Sequence, residues 1–171
     1  MHARHRLGLW LALSVTAAVL PWASACGPSV DLKRDLQVVD VTSGWLDAGV
    51  VAGGKNKLVP TISFAFKNTS SHPVSSVQIN LSFWRKGEEG EFDDAFVTSA
   101  LGTERLNAGE VSKTFVLSGK VGYTGDPGLT RAEMLQHSQF HDATAKLFVN
   151  GGSSQWAQLG EFPIERRLIV R

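Results

Sequence analysis

Two stretches of this chain alternate strictly between apolar and polar positions. Between residues 58 and 68, Ile62, Phe64 and Phe66 alternate with Thr61, Ser63, Ala65 and Lys67. Between residues 77 and 83, Val77, Ile79, Leu81 and Phe83 alternate with Gln78, Asn80 and Ser82. A strand sends successive side chains to opposite faces, whereas a helix repeats every 3.6 residues. Both stretches therefore predict half-buried strands, and the polar turn at 68–73 between them predicts a linked antiparallel pair. Shorter strand candidates follow at 36–41, 92–100, 111–117, 143–149 and 155–162, separated by turn-rich segments such as 49–56, 86–91 and 106–110. Pro163 suits a strand end or edge, because it has no N–H to give to a ladder. Thr130-Arg-Ala-Glu133 has capping-box spacing and predicts a helix of about two turns, from Arg131 to roughly Ser138. The expected fold class is all-β: an antiparallel β-sandwich of about seven strands with one short helix in a late insertion.

The N-terminus follows a different pattern. His2, Arg4, His5 and Arg6 give a basic start, residues 7–20 are uncharged and mostly apolar, and Pro21 and small residues close the run at Ala23-Ser-Ala-Cys26. These are the three parts of a secretory signal. The competing reading is a retained membrane helix, since residues 7–25 approach the roughly 20 needed to span a bilayer. The small residues and proline at its far end favour cleavage. Cys26 is the only cysteine of the chain and directly follows the small-residue motif. Here the sequence resembles the bacterial lipoprotein signal, although Ala23 stands where that class usually has leucine. The resemblance implies removal of residues 1–25, a diacylglyceryl group on the Cys26 sulfur and often an acylated amino group. A free thiol or an intermolecular disulfide are the other fates of an odd exported cysteine. Residues 26–35, with little to bury, read as the lipidated cysteine and a tether, and 36–171 as the β-sandwich domain. Gly27 after the cysteine implies, by the Gram-negative sorting pattern, an outer-membrane location facing the periplasm.

Composition narrows the partners. Removing 25 of 171 residues leaves 146, enough for one domain with its own core. Without Arg4 and Arg6 the 17 Lys and Arg become 15, against 16 Asp and Glu, a formal −1. That balance lacks the basic excess of a nucleic-acid binder, so no nucleic-acid partner is expected. No internal disulfide can form with one cysteine, and stability must come from packing.

Candidate chemistry is sparse. His137 and His141 have a metal-ligand spacing only if one helix carries both, and the helix is expected to end near Ser138; His141-Asp142 offers a partnered imidazole only if the two side chains meet. Glu88, Glu89, Glu91, Asp93 and Asp94 form an acidic turn without the ligand spacing of a helical calcium loop, and read as a solvated tip. No Walker loop, dinucleotide fingerprint or nucleophile elbow is present. No metal, cofactor or catalytic residue is expected. Trp84 falls on the polar face of its strand, Trp45 and Trp156 lie near turns, and Tyr123 sits in a glycine-rich loop. Trp84, Trp156 and Tyr123 are the candidate ligand or partner contacts.

Phe66-Lys-Asn-Thr, the turn after it, the strand at 77–83, then Leu106-x-Ala-Gly-Glu110 and Phe115 resemble the immunoglobulin-like domains of bacterial lipoproteins, including the FxLYD type. Ala108 stands where that family has proline, and its late motif is not seen here. The resemblance implies an immunoglobulin-like sandwich with a binding or assembly role. The expected function is thus a non-enzymatic envelope module, joined to the membrane by its lipid anchor and binding an envelope protein. The alternative is a small-ligand or glycan binder.

Overall fold

The computed structural model describes residues 31–152 and 155–169; the leader, Cys26 and residues 27–30 of the expected tether lie outside the described residues. In chain order the elements are α1 (Leu32–Asp35), β1 (Leu36–Val51), β2 (Lys55–Asn68), β3 (Gln78–Arg85), β4 (Glu91–Val97), β5 (Phe115–Ser118), β6 (Tyr123–Thr124), α2 (Arg131–Gln136), β7 (Ala143–Asn150), β8 (Ala157–Pro163) and β9 (Leu168–Ile169). One sheet runs β5-β2-β1-β9, with β6 also paired to β2, and the other runs β4-β3-β7-β8. The all-β sandwich is as expected. One sheet thus holds β1, β2 and β5 and the other β3, β4, β7 and β8, so the consecutive strands β2 and β3 lie in different sheets. The ladders are antiparallel except for β9, which runs parallel to β1 beside Trp45 and Leu46.

The inward residues of the two alternating strands meet across the gap: Phe64, Phe66 and Ile62 from β2, and Ile79, Leu81 and Phe83 from β3, all inaccessible to solvent. These two strands are not a hairpin. β2 pairs with β1 and β5, whereas β3 pairs with β4 and β7. The expected pair is corrected by the connection 69–77, which crosses from one sheet to the other. Val74 exchanges backbone hydrogen bonds with Leu106, and Val74 and Val77 are buried, so the segment plugs the core where a hairpin loop would face water.

β1 is longer than expected. Its register slips between Val39 and Thr42, where Asp40 and Val41 oppose one partner residue and Asp40 takes φ 54°. This bulge reverses the alternation: Leu36 and Val38 face the core before it, Ser43 and Trp45 after it. The supposed connection at 49–56 is mostly strand, closed by a short turn at Gly53 and Gly54, both with positive φ. The end of the expected tether also folds. Leu32 and Asp35 in α1 are buried, Asp35 accepts a hydrogen bond from the N–H of the N-cap residue Asp31 at 3.1 Å, and His72 Nε2 approaches its carboxylate at 3.4 Å.

The capping box forms as expected: Thr130 Oγ1 accepts from Glu133 N–H, and the Glu133 carboxylate accepts from Thr130 N–H at 2.8 Å. α2 ends at Gln136, two residues before the expected Ser138. The strand expected at 111–117 is present only as Phe115–Ser118, preceded by a single bridge at Val111. Pro163 closes edge strand β8.

Candidate functional site

The sandwich has two unlike ends. At the near end, α1 leads into Leu36, which pairs with Asn68, while Gln78 pairs with Asn150. At the far end lie the β1–β2 turn, the β3–β4 turn and the insertion between β5 and β7. The far end contains a cleft of about 240 Å³. Trp45 of β1, Arg85 at the end of β3 and Phe92 of β4 form one part of its wall; Gly122, Tyr123, Gln139 and His141 of the insertion form the other, and Glu88 stands at its edge.

Bulges deliver two of these rings. Trp45 faces inward only because of the Asp40–Val41 bulge. In β4 the register slips so that Phe83 pairs with Asp93 and Trp84 with Glu91, leaving Phe92 as the extra residue, its ring 6.3 Å from that of Phe83. The Arg85 guanidinium lies 4.5 Å from the Phe92 ring centroid and 3.2 Å from Glu88 Oε2. Trp45 is 3% exposed, packs edge-on against Phe140 at 4.6 Å, and its indole N–H finds no hydrogen-bond partner among the described residues.

Tyr123 packs edge-on against Phe140 at 5.1 Å, and its hydroxyl meets His137 Nδ1 at 3.1 Å. That nitrogen also accepts the Gln139 N–H at 3.3 Å, so the tyrosine hydroxyl is the donor. Close approach of β6 to β2 needs Gly122, where a Cβ would lie 1.9 Å from the Leu58 carbonyl oxygen. The preceding loop is held by Asp93, whose Oδ2 accepts backbone N–H groups of Lys120 and, at 2.7 Å, Val121. Arg166 clasps the loop after α2. It donates to Asp142 at 2.6 Å and to the carbonyls of Leu135 and Phe140, both at 3.2 Å.

The acidic turn therefore divides its duties: Asp93 holds a loop and Glu88 pairs with Arg85. Among the described residues no three His, Cys, Asp or Glu side chains are grouped to hold a metal ion. His137 follows the last helical residue and His141 lies on the cleft wall, so no helix carries both. Asp142 turns to Arg166, whose hydrogen bond holds the carboxyl below its ordinary range. Asp47 is likewise lowered, first by the Gly49 N–H and then by Arg131. A larger hollow of about 460 Å³ on the outer face of the five-stranded sheet is lined by Thr42, Thr61, Ser63, Val116 and the 167–169 segment. Its one ionic side chain, Arg167, is engaged with the Ser43 carbonyl at 2.7 Å.

The sequence candidates separate. Tyr123 lines the cleft. Trp84 and Trp156 lie on the outer face of the four-stranded sheet, toward opposite ends. Trp84 is half-buried: its indole N–H donates to Ser82 Oγ at 2.8 Å, and the Lys146 ammonium stands 3.8 Å over its ring. Trp156 is 43% exposed and meets Phe96, 49% exposed, at 5.7 Å between centroids. Cys26 lies outside the described residues. The sequence reading missed Phe96, Arg85, Phe92 and Gln139. None of the four carries a sequence signal of its own: Phe96 is opposite polar Asn80 only in the register of the paired strands.

No family model matches the chain, and no curated protein matches it. Among solved structures it is similar to a Northeast Structural Genomics Consortium target, SoR45, at 9% identity and TM-score 0.46, covering 78% of this chain and 88% of that one. It is also similar to a protein from Archaeoglobus fulgidus at 13% identity and TM-score 0.33, covering 75% and 98% respectively.

Proposed function

We propose that this chain is a lipid-anchored, non-enzymatic binding or accessory module of the bacterial cell envelope, attached through Cys26 to the outer membrane and engaging an envelope protein through the outer face of its four-stranded sheet. The observation that carries this reading is the exposed Phe96–Trp156 pair. Exposed apolar residues scattered singly are ordinary, but two large aromatic rings in mutual contact on a formed sheet make a patch of the kind enriched in interface cores. The tether supports the anchored part. Six chain steps from Cys26 to buried Leu32 reach at most about 20 Å, which keeps the near end of the domain within that distance of the anchor. The glycan alternative on the same face is weaker, because Lys146 covers the Trp84 ring.

Two measurements test the proposal. The intact mass of the mature protein should equal residues 26–171 plus acyl groups, and Cys26→Ala should lose that added mass. A photo-crosslinking side chain at position 96 should yield one discrete protein adduct in cells, and one at exposed Val116 on the opposite sheet should not. Adducts from both positions, or from neither, would overturn the assigned face.

A further inference from the structure

We infer that the far-end cleft is a binding site for a neutral, hydroxyl-rich ligand the size of one sugar residue. This inference stands apart from the sheet-face reading: the two surfaces share no residue.

Size comes first. At about 240 Å³ the cleft falls just below the roughly 300–1,000 Å³ of pockets that hold drug-sized molecules, so it fits one small ring. The wall chemistry then selects among small rings. Arg85 and Glu88 are paired at 3.2 Å, which presents donors and acceptors side by side with compensated charge. Gln139 adds an amide that both donates and accepts, and His141 adds an imidazole. Neighbouring hydroxyls can accept from the guanidinium and donate to the carboxylate together, leaving the ion pair intact. A charged ligand would match one member of the pair and repel the other. The remaining wall is ring surface: Phe92, Tyr123 and the edge of Trp45 suit the C–H side of a pyranose. Tyr123 contributes its ring, since its hydroxyl is already given to His137.

The cleft is also built before any ligand arrives. Asp93 fixes the loop at 120–121, Gly122 lets β6 close on β2, and Arg166 ties the segment that carries Gln139 and His141. Walls held by separate elements reduce the ordering cost of binding.

The test is a calorimetric titration of the mature chain with the methyl glycosides of glucose, mannose and N-acetylglucosamine, beside glucuronate and glucosamine as charged counterparts. At least one neutral glycoside should saturate and bind more tightly than either charged sugar. Gln139→Ala, at an exposed position that leaves the fold intact, should weaken that binding about three- to tenfold, the worth of one hydrogen bond. Phe96→Ala should leave it unchanged, which separates this site from the sheet face. Absence of saturation by every neutral glycoside, preference for a charged sugar, or binding indifferent to both Gln139→Ala and His141→Ala would each overturn the inference.

Discussion

Asn68 Nδ2 donates to the Leu106 carbonyl at 2.9 Å, joining the last residue of β2 to a turn 38 residues further along the chain. The same amide nitrogen donates to the His72 carbonyl at 2.8 Å, and Oδ1 accepts from Ser70 N–H at 2.9 Å and Ser70 Oγ at 2.7 Å. The Asn68 backbone bonds to Glu110 and Gly109. One fully buried side chain thus ties the crossover between sheets to the 106–110 turn. Asn68→Ala strands several buried partners at about 1–3 kcal/mol each when unsatisfied, so a loss of about 3 kcal/mol is expected. Urea unfolding with an unchanged slope would measure it.

Gly122→Ala should be nearly as damaging, though locally. The added carbon meets a backbone carbonyl, which no side-chain rotation relieves. Overpacking of this kind costs about 3 kcal/mol, and β6 should detach from β2. Faster amide exchange at Tyr123 and Thr124 than in β2, with loss of any ligand bound in the cleft, is the expected signature.

Acid should weaken the Arg166 clasp. The Asp142 carboxyl titrates below its ordinary range in the folded chain, so its stabilisation is present above the unfolded value near pH 4 and disappears as pH falls through the lower native value. Both partners are substantially exposed, and the pair contributes about 0.5 kcal/mol at neutral pH after screening. Asp142→Asn should flatten the acid limb of the stability profile below about pH 4 and lower stability by about 0.5 kcal/mol, independent of pH, above pH 6. A variant profile parallel to the parent's throughout the acid limb would refute the assignment.

The Phe96–Trp156 pair should matter more for binding than for folding. Each truncation to alanine should cost about 1 kcal/mol or less, and a double-mutant cycle should give a coupling of about 0.5–1 kcal/mol for the ring contact. Crosslinking from a neighbouring surface position on the same face should fall in both variants. A loss of several kcal/mol in unfolding free energy for either variant would show the rings to be core.

Local signals were legible wherever neighbours along the chain settle the matter. The capping box needs only Thr130 and Glu133, three residues apart, and its geometry is as the spacing predicts. The β2 and β3 alternations likewise report burial on one face, because a strand's two-residue period is a property of the backbone itself. The turn at 68–73 could not say which strands pair, since a polar connection fits a hairpin or a crossing between sheets about 10 Å apart. Only the burial of Val74 and Val77 and the contact with Leu106 choose the crossing.

The cleft was the least legible part, for a related reason. Trp45 and Phe92 reach it through bulges, and a bulge breaks the periodicity by which a strand is read. Gln139 and His141 arrive through an insertion whose position depends on Arg166 and Asp93, far from them in the chain. The order of residues alone determined that this is a two-faced β domain with a capped helix at Thr130, because alternation and capping are local. Which strands became neighbours, and which side chains share the cleft, was decided only in three dimensions, where distant backbone and buried polar groups must find partners once water is excluded.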